Sequence, residues 1–276
     1  MITAHTKLAG LIGNPVGHSL SPAMHNAGFN HIGLDCRYLA FDVKPEMLGD
    51  AIRSIRALNF LGANITIPYK EKAIQFLDDC HEEARFIGAV NTIVNFNGKL
   101  TGYNTDGRGF MKSLEISDVP LKNSKVFMVG AGGAARAITY YIAKEAPSLR
   151  IFDTDTPKLN ALVRDLKRVN PEVHAETSTD AVTGSDILIN ATPLGLHKGD
   201  PLPIDKKLLK KDHIVCDVIY RDTPLLVEAK KLGCQTVNGL GMLFWQGILA
   251  FELWTKPGAA PVEVMRDALM AAYNRL

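Results

Sequence analysis

Short apolar runs alternate along the chain with segments in which apolar residues recur at helical spacing. Apolar runs predict strands, and an apolar stripe with a period near 3.6 predicts a helix. In the first part of the chain, strands are predicted over residues 7–12, 37–41, 62–67 and 91–96. Helices are predicted between them over residues 22–33, 45–58 and 72–79. The Asn97-Gly98 pair is typical of a tight turn, so residues 91–103 are expected to form a β-hairpin.

A second series of strands and helices follows a polar, turn-rich stretch at residues 117–124. Its strands are predicted over residues 125–129, 149–152, 187–190, 214–218 and 235–238. Its helices are predicted over residues 134–145, 156–169 and 224–232. Alternation of this kind predicts parallel sheets with crossover helices. We therefore expect an α/β protein of two domains, with the boundary around residues 105–124.

The most informative segment of the first series is the heptapeptide Asn64-Ile65-Thr66-Ile67-Pro68-Tyr69-Lys70. Alternate side chains of a strand leave on opposite faces, so Asn64 and Thr66 share one face. Pro68 cannot donate a ladder hydrogen bond and is expected to end the strand. Lys70 would then lie just past the strand end, where open α/β proteins bind their ligands. A half-exposed strand followed by a solvated lysine is the alternative that this segment alone leaves open.

A glycine-rich turn follows the first strand of the second series, with the sequence Gly130-Ala131-Gly132-Gly133-Ala134-Ala135. The G-x-G-x-x-A spacing between a predicted strand and a predicted helix is typical of a dinucleotide-binding turn. Gly130 would make the tight bend, and Gly132 would let the backbone approach a pyrophosphate. Ala135 would allow the helix and strand to pack closely. Together with the helix N-terminus, these residues predict a dinucleotide site.

Asp153, at the end of the next predicted strand, bears on the choice of cofactor. A carboxylate there can accept hydrogen bonds from the ribose hydroxyls of NAD, but it would repel the 2′-phosphate of NADP. Thr154 takes the position where an NADP site often has arginine, and Lys158 is the nearby cation. The residues alone favour NAD, although Lys158 could still accommodate a phosphate.

Composition restricts the classes of function. The chain has 276 residues, and its 31 basic against 29 acidic residues leave a net charge of +2, so nothing indicates a nucleic-acid or membrane surface. Four widely spaced cysteines without a C-x-x-C pair indicate reduced thiols rather than a disulfide framework or a zinc site. Without a signal-peptide pattern or an apolar stretch long enough for a bilayer, a cytoplasmic protein with no metal site is expected.

Two serines stand at the start of the first long helix. Ser21 could cap this helix, with Pro22 at its first position. Capping does not account for Ser19, whose hydroxyl would face outward beside it. Two hydroxyls at a helix N-terminus suit the binding of a carboxylate.

Other polar residues are weaker candidates. Asn91 begins a predicted strand, and the segment Asn104-Thr105-Asp106-Gly107 is either an Asx turn or part of a site. Gln246 is the polar residue in the first turns of an apolar helix that Gly239-Leu240-Gly241-Met242 opens. A hydrogen bond to a neighbour is the commoner role for such a residue.

Seven motifs, in this order, resemble those of the shikimate dehydrogenase family with its shikimate/quinate relatives. They are His18-Ser19-Leu20-Ser21-Pro22, Gly62-Ala63-Asn64-Ile65-Thr66-Ile67-Pro68-Tyr69-Lys70, Gly88-Ala89-Val90-Asn91-Thr92, Asn104-Thr105-Asp106-Gly107, Gly130-Ala131-Gly132-Gly133-Ala134, Asn190-Ala191-Thr192-Pro193 and Gly239-Leu240-Gly241-Met242. The resemblance covers essentially the whole chain. It implies a reversible, NADP-linked reduction of 3-dehydroshikimate to shikimate in aromatic amino-acid biosynthesis.

The resemblance also implies roles for individual residues. Ser19 and Ser21, helped by Tyr220, would bind the substrate carboxylate, and Lys70 and Asp106 would form the catalytic pair. The substrate hydroxyls would be bound by Asn64, Thr66, Asn91, Asp106 and Gln246. The nicotinamide pocket would be lined by Val218, Gly239 and Met242.

The expected domains follow from the same resemblance. An N-terminal α/β substrate-binding domain would comprise residues 1–105 together with the C-terminal helices of residues 240–276. A Rossmann-type dinucleotide-binding domain would comprise residues 106–239. The expected partner is a small-molecule substrate. The oligomeric state does not follow from the sequence, and a homodimer stays open.

One departure from the family pattern affects the cofactor. The usual NADP signature, Asn-Arg-Thr, is replaced by Asp153-Thr154-Asp155, so either NADP or NAD remains open. An NAD-dependent quinate/shikimate dehydrogenase is therefore an alternative function. A non-catalytic dinucleotide sensor on the same fold is another, and the presence of both Lys70 and Asp106 argues against it.

Overall fold

A computed structural model describes residues 2–275 of the chain, which divides into two compact units. Unit 1 contains the chain up to Thr105 and again from Gln246 onward, and unit 2 contains Asp106–Trp245. The division at Gln246 falls inside a helix, slightly later than the boundary that the sequence places at residue 240. The predicted α/β class with two domains is confirmed.

The strands of unit 1 are β1 (Lys7–Gly13), β2 (Cys36–Asp42), β3 (Gly62–Ile65), β4 (Asp79–Cys80), β5 (Thr92–Phe96) and β6 (Lys99–Tyr103). Those of unit 2 are β7 (Lys125–Val129), β8 (Ser148–Phe152), β9 (Val173–Ala175), β10 (Ile187–Asn190), β11 (Ile214–Asp217) and β12 (Gln235–Val237).

The helices are, in chain order, α1 (Ser21–His31), α2 (Leu48–Ala57), α3 (Glu82–Ile87), α4 (Asp106–Ile116), α5 (Gly133–Glu145), α6 (Thr156–Leu166), α7 (Pro224–Leu232), α8 (Leu240–Trp254) and α9 (Val262–Tyr273). Short 3₁₀ helices cover Pro45–Met47, Lys72–Phe76, Leu121–Asn123, Thr179–Gly184 and Lys206–Leu208. In unit 1, α9 packs against α1.

The sheet of unit 1 has the strand order β2-β1-β3-β5-β6-β4 and mixes parallel with antiparallel pairs. Strand β1 runs parallel to β2 and β3, so the carboxyl ends of these strands share one edge. Strand β5 runs antiparallel to β3 and to β6. The predicted hairpin is confirmed, with Asn97 and Gly98 at φ values of 51° and 87°, as a type I′ turn requires.

The sheet of unit 2 is parallel throughout, with the order β12-β11-β10-β7-β8-β9. Numbered from β7, this is the 3-2-1-4-5-6 order of doubly wound nucleotide-binding sheets. The strand order reverses between β7 and β10. Their carboxyl ends therefore flank the switch point where such sheets bind ligands. The Rossmann-type second domain is confirmed.

Burial on both faces explains why the strands of unit 2 read as continuous apolar runs. Val126 and Met128 of β7 enter one core cluster together with residues of α5 and α6. Phe127 and Val129 enter a second cluster together with residues of α7. Such double burial is typical of parallel sheets covered by helices.

The helix predicted over residues 72–79 is wrong. A 3₁₀ helix ends at Phe76, and the chain then pairs with β6. The backbone N–H of Asp78 donates to the carbonyl of Leu100 at 3.0 Å, and the Asp78 carboxylate accepts the Leu100 N–H at 2.7 Å. These bonds hold the backbone extended and lead into β4, which the sequence pattern did not predict.

The predicted capping by Ser21 is also wrong. The N-cap of α1 is Leu20, whose side chain forms no capping hydrogen bond. Ser21 is the first helical residue, and the hydroxyl oxygen of Ser19 accepts its N–H at 3.2 Å. Strand β3 ends at Ile65 rather than at Pro68, although the N–H of Thr66 still donates to the carbonyl of Ile12 at 3.0 Å.

Candidate functional site

The glycine-rich turn lies at the carboxyl end of β7, beside the switch point of the unit 2 sheet. Gly130 has φ = +114°, and a side chain there would lie 2.9 Å from the backbone of Ala191, which follows β10. Both the conformation and this close approach require glycine. Gly132 is the N-cap of α5, and a Cβ there would meet no protein atom within 4 Å. The space before the helix N-terminus is therefore open, and such termini bind phosphate.

Asp153 contacts the glycine-rich turn directly. Its Oδ2 accepts the N–H of Ala131 at 2.7 Å, and its Oδ1 accepts the N–H of Asp155 at 2.8 Å. Asp155 caps α6 by accepting the N–H of Lys158 at 3.0 Å. The segment after β8 thus carries two carboxylates, one of which touches the turn at which the pyrophosphate of a dinucleotide would lie.

A buried carboxylate that sequence reasoning missed, Asp217, ends β11. It accepts hydrogen bonds from the Asn190 amide at 3.0 Å, the Thr223 hydroxyl at 2.8 Å and the Ile219 N–H at 3.0 Å. Burial raises the pKa of Asp217 to about 6, and the three donors oppose this effect. Its position at the end of an apolar strand was a usable signal. Through Ile219, Asp217 holds the segment 218–220 in place.

The residues expected to line the nicotinamide pocket follow β11 and β12. Gly239 lies against the backbone carbonyl of Val218, where a side chain would not fit, and its N–H donates to the carbonyl of Ile219 at 2.9 Å. Met242 is buried in the cluster that contains Val126 and Met128. Tyr220, which follows Ile219, is half-buried, and burial raises the pKa of its phenol. The structure thus brings Val218 and Gly239 together.

In unit 1, a buried hydrogen-bond network joins most of the predicted substrate-binding residues. Asn64 in β3 accepts the phenolic O–H of Tyr38 at 2.8 Å. The Asn64 amide donates to the carbonyl of Asn91 at 3.1 Å and to the hydroxyl of Thr92 at 3.0 Å. The hydroxyl of Thr92 in turn donates to the side-chain oxygen of Asn91 at 3.0 Å. These bonds connect β3 to the start of β5.

Asn91 extends the network to both chain segments of unit 1: to Thr105, where the first segment ends, and to Gln246, where the second begins. Its Oδ1 accepts the N–H of Thr105 at 2.8 Å, and its Nδ2 donates to the hydroxyl of Thr105 at 2.9 Å and to Oε1 of Gln246 at 3.4 Å. Thr105 directly precedes Asp106, the buried first residue of α4. The side chain of Asn91 therefore anchors the backbone that leads into Asp106.

The two serines have different surroundings. Ser19 is half-buried, and its oxygen accepts the N–H of Ser21. Ser21 is buried.

The backbone around Lys70 is held by its neighbours. Tyr69 is buried, and its phenol donates to the carbonyl of Val43. The carbonyl of Lys70 accepts the N–H of Val90 at 2.8 Å, one residue before Asn91. Lys70 and Thr66 are both half-buried. Lys70 belongs to unit 1, whereas Asp106 belongs to unit 2.

The sequence analysis did not identify two aromatic residues of unit 1, His25 and Tyr38, as candidates. The rings of His25 and Tyr38 stack with centroids 4.5 Å apart, and Trp254 lies 5.3 Å from His25. His25 is fully buried, and burial lowers its pKa to about 3, so the ring is neutral. Trp254 comes from the far end of the described chain, so no local pattern predicts its contact with His25.

Within residues 2–275, no group of three or more His, Cys, Asp or Glu side chains could hold a metal ion. In the same part of the chain, no helix is both long and apolar enough to cross a membrane.

Comparison with known proteins identifies relatives over almost the full length. Residues 11–93 match the model of the shikimate dehydrogenase substrate binding domain, and residues 239–270 match that of the shikimate 5′-dehydrogenase C-terminal domain. The shikimate dehydrogenase (NADP(+)) of Methanocaldococcus jannaschii is 44% identical over 280 residues, which cover 98% of each chain.

Solved structures of shikimate and quinate dehydrogenases are also similar to this chain over almost its full length. The crystal structure of shikimate dehydrogenase from Aquifex aeolicus superposes with a TM-score of 0.91 at 40% identity, covering 97% of this chain and 99% of that one. Quinate dehydrogenase from Corynebacterium glutamicum in complex with NAD has a TM-score of 0.86 at 34% identity, covering 96% and 99%.

Proposed function

Since the chain belongs to the shikimate dehydrogenase family, we propose that it catalyses the reversible, nicotinamide-dependent reduction of 3-dehydroshikimate to shikimate in aromatic amino-acid biosynthesis. The family predicted from the seven motifs is confirmed. The observation that carries the proposal is the buried network of unit 1, which joins Tyr38, Asn64, Asn91 and Gln246. A carboxylate on a ring with several hydroxyls needs such a set of fixed polar groups.

We propose that Lys70 and Asp106 form the catalytic pair. The nicotinamide cofactor, when bound, supplies the hydride. Reduction of a ketone develops negative charge on its oxygen, which requires a proton donor beside it. The ammonium group of Lys70 can donate this proton, and the carboxylate of Asp106 can orient the ammonium group and accept a hydrogen bond from the substrate. The backbone bonds that hold Lys70 and lead into Asp106 support these roles.

The remaining roles are proposed from the same family pattern. Ser19 and Ser21, with Tyr220, bind the carboxylate. The hydroxyls are bound by Asn64, Thr66, Asn91, Asp106 and Gln246. The cofactor is held by Gly130, Ala131, Gly132, Gly133, Ala134 and Asp153, and the nicotinamide ring contacts Val218, Gly239 and Met242. Support comes from the open space at Gly132 and from the close approach of Gly239 to Val218.

We propose that NAD is the preferred cofactor, although the curated relative from Methanocaldococcus jannaschii is named for NADP. The carboxylate of Asp153 is fixed 2.7 Å from the N–H of Ala131 and so stands at the ribose end of the turn. A ribose 2′-hydroxyl can donate to it, whereas a 2′-phosphate would meet like charge from Asp153 and from Asp155. Lys158 is the cation that could offset this repulsion in part.

An NAD-dependent quinate/shikimate dehydrogenase is the second candidate function. The carboxylate of Asp153 suits NAD, and the similar quinate dehydrogenase from Corynebacterium glutamicum was solved in complex with NAD. Both observations favour this second function. Quinate differs from shikimate by one ring hydroxyl and by saturation of the ring, so the same polar network could serve both substrates.

Steady-state kinetics with shikimate and quinate, each against NAD and NADP, tests these proposals. We expect turnover of shikimate, with a kcat/KM at least about tenfold higher for NAD than for NADP, which corresponds to about 1.4 kcal/mol. Asp153→Asn should reduce this ratio, and Asp180→Asn, at an exposed acidic residue of the same unit, should leave it unchanged. A strong NADP preference would refute the role of Asp153, and absence of turnover with every pair would favour the non-catalytic sensor.

A cytoplasmic location and a homodimer are further proposals. The free cysteines Cys36, Cys80, Cys216 and Cys234 suit a reducing compartment. Light scattering of the purified protein would determine the oligomeric state.

A further inference from the structure

Two buried side chains, those of Asn190 and Asp217, lie side by side at the carboxyl edge of the unit 2 sheet. They are the last residues of β10 and β11 and are register partners in this parallel pair. Both residues have 0% exposure, so neither presents surface to a ligand. Any effect of these residues on a ligand must therefore pass through the backbone that they hold.

The carboxylate of Asp217 holds the segment after β11. Its Oδ1 accepts the N–H of Ile219 at 3.0 Å. The carbonyl of Ile219 accepts the N–H of Gly239 at 2.9 Å, which ties this segment to the residues after β12. Val218 and Gly239, which are expected to contact the nicotinamide ring, therefore depend on the position of Ile219.

The amide of Asn190 holds the loop after β10, residues 191–194. Its Oδ1 accepts the N–H of Thr192 at 3.1 Å and the hydroxyl of Thr192 at 2.7 Å. Its Nδ2 donates to the carbonyl of Leu194 at 3.2 Å. The N–H of Leu194 donates in turn to the hydroxyl of Thr192 at 3.2 Å. The shape of loop 191–194 thus depends on which way the amide of Asn190 points.

Asp217 determines that direction. Burial raises its pKa to about 6, so at pH 7.5 the group is a carboxylate, which can only accept hydrogen bonds. Its Oδ2 accepts the Nδ2 of Asn190 at 3.0 Å and the hydroxyl of Thr223 at 2.8 Å. The NH₂ group of Asn190 must therefore face Asp217, which directs its oxygen to Thr192.

Both held segments lie in one half of the sheet. A doubly wound sheet binds a dinucleotide across the crevice, with one half of the sheet for each mononucleotide. The glycine-rich turn and Asp153 belong to the half formed by β7, β8 and β9, where the adenosine end is expected. The half formed by β10, β11 and β12 is left for the nicotinamide end. Ala191 lies against Gly130 of the turn, so loop 191–194 borders the switch point between the halves.

We propose that Asp217 is a positioning residue for the nicotinamide half of the dinucleotide, which fixes segment 218–220 directly and loop 191–194 through the amide of Asn190. The inference rests on the proposed function, because it assumes that unit 2 binds a nicotinamide dinucleotide. Loss of the carboxylate should weaken binding of the nicotinamide half and spare the adenosine half.

Asp217→Asn is the matching substitution, because it supplies one oxygen where the carboxylate supplies two. Whichever way the new amide is turned, its NH₂ group faces either the N–H of Ile219 or the NH₂ group of Asn190. If Asn190 turns over instead, its NH₂ group faces the N–H of Thr192. One of the two segments therefore loses a hydrogen bond in each arrangement. The Kd for the reduced dinucleotide should rise about tenfold or more, and the Kd for ADP-ribose, which lacks nicotinamide, should change less than about threefold.

The experiment is a double-mutant cycle of Asp217→Asn and Asn190→Ala at pH 7.5. NADH and NADPH are titrated by the fluorescence of the reduced nicotinamide, and ADP-ribose and its 2′-phosphate are measured by displacement. Without the amide of Asn190, the new amide at position 217 can turn its oxygen to Ile219 and its NH₂ group to the hydroxyl of Thr223, which can accept. In this background the cost of Asp217→Asn should fall below about twofold.

The control cycle replaces Asn190→Ala by Ser124→Ala. Ser124 is buried just before β7, at the opposite edge of the same sheet, and its hydroxyl donates to the carbonyl of Pro120 at 2.7 Å. In this background the cost of Asp217→Asn should stay about tenfold. Thermal unfolding shows that each variant is folded at the assay temperature. If Asp217→Asn does not fold, Asn190→Ala alone should weaken the dinucleotide about fivefold and ADP-ribose less than about twofold, because it releases only loop 191–194.

Two results would overturn the inference. One is an equal loss of affinity for the dinucleotide and for ADP-ribose, as expected if Asp217 only supports the fold. The other is a cost of Asp217→Asn that is the same with and without the amide of Asn190. A wild-type protein that binds a dinucleotide but turns over neither shikimate nor quinate would refute the proposed function and leave the inference intact. A wild-type protein that binds neither NADH nor NADPH would refute both.

Discussion

Acidification should destabilise unit 1 through one buried side chain, His25. The ring is fully buried, and neither of its nitrogens has a hydrogen-bond partner among the described residues. The groups around it are aromatic: Tyr38 stacks on it, Phe251 lies 6.3 Å away and Trp254 lies 5.3 Å away. These aromatic rings offer a protonated imidazole no counter-charge, and burial lowers the pKa of His25 to about 3.

The sign and the size of the effect follow from linkage. The pKa of His25 is 6.5 in the unfolded chain and about 3 in the folded one, so protons bind preferentially to the unfolded chain between these values. The contribution of the neutral His25 ring to the free energy of unfolding is complete above about pH 6.5 and is lost as the pH falls towards 3. At pH 5 the loss is about 2 kcal/mol, and it cannot exceed about 5 kcal/mol at lower pH.

A second buried group acts in the opposite direction. The pKa of Asp217 in unit 2 is raised from 3.8 to about 6, chiefly by burial. The stability that this group contributes is complete below 3.8 and is lost as the pH rises through about 6. Between pH 7.5 and pH 5, protonation of Asp217 therefore restores about 1.5 kcal/mol. The pH effects of His25 and Asp217 nearly cancel, so the free energy of unfolding of the wild-type protein should change little between these pH values. The contribution of His25 is therefore measured by comparison with a variant.

The assay compares two proteins that both carry Trp245→Phe; one of them also carries His25→Phe. The chain has two tryptophans, so Trp245→Phe leaves Trp254, beside His25, as the fluorescent reporter. Denaturant unfolding at pH 7.5 and at pH 5 gives the free energy of unfolding of both proteins. The difference between them should change by about 2 kcal/mol between the two pH values. A constant packing cost of the larger phenylalanine ring cancels in this comparison.

An independent measurement reads the ring itself. The chain has eight histidines, and the NMR resonance that disappears in His25→Phe identifies the ring of His25. It should not titrate above about pH 4.5. Parallel pH dependence of the two proteins, or a resonance that titrates near 6.5, would show that the reasoning about burial is wrong.

Further predictions concern the proposed catalytic and cofactor residues. Lys70→Ala should lower kcat at least about 100-fold with a smaller change in KM, while exposed Lys72→Ala should not; a near-normal kcat would exclude Lys70 as the proton donor. Gly132→Ala should raise KM for the dinucleotide about tenfold without changing the melting temperature, and Gly184→Ala, also at an open position, is the control; an unchanged KM would mean that no phosphate lies there. Asp217→Asn should lower the free energy of unfolding by about 1–3 kcal/mol in denaturant titrations, and equal stability would contradict the importance of its three donors.

Elements with complete local signals were predictable from the sequence. The strand predicted over 187–190 and the helix predicted over 224–232 match β10 and α7 residue for residue. Helix α7 starts at Pro224 after Thr223, whose side chain accepts the N–H of Leu226, and it ends before Gly233 at φ = +84°. Each of these signals lies within the segment itself.

Features set by distant partners were not predictable in the same way. The pairing of Asp78 with Leu100 ends the helix expected over residues 72–79. His25 is covered by Phe251 and Trp254 from the far end of the chain. Asn64 and Asn91, which two separate motifs contain, share one network with Gln246, but which of them bond to each other depends on contacts that no local pattern encodes.

The return of the C-terminus to unit 1 has a consequence for the order of folding during synthesis. The indole N–H of Trp254 donates to the carbonyl of Ile93 at 2.9 Å, and Met265 of α9 packs against Gly28 in α1. The strands β1 to β6 leave the ribosome first, yet their core is incomplete until residues beyond 246 have been made. Unit 2 is continuous in sequence and can fold as soon as it emerges. Of the two units, the one whose synthesis begins first is therefore the last to be finished.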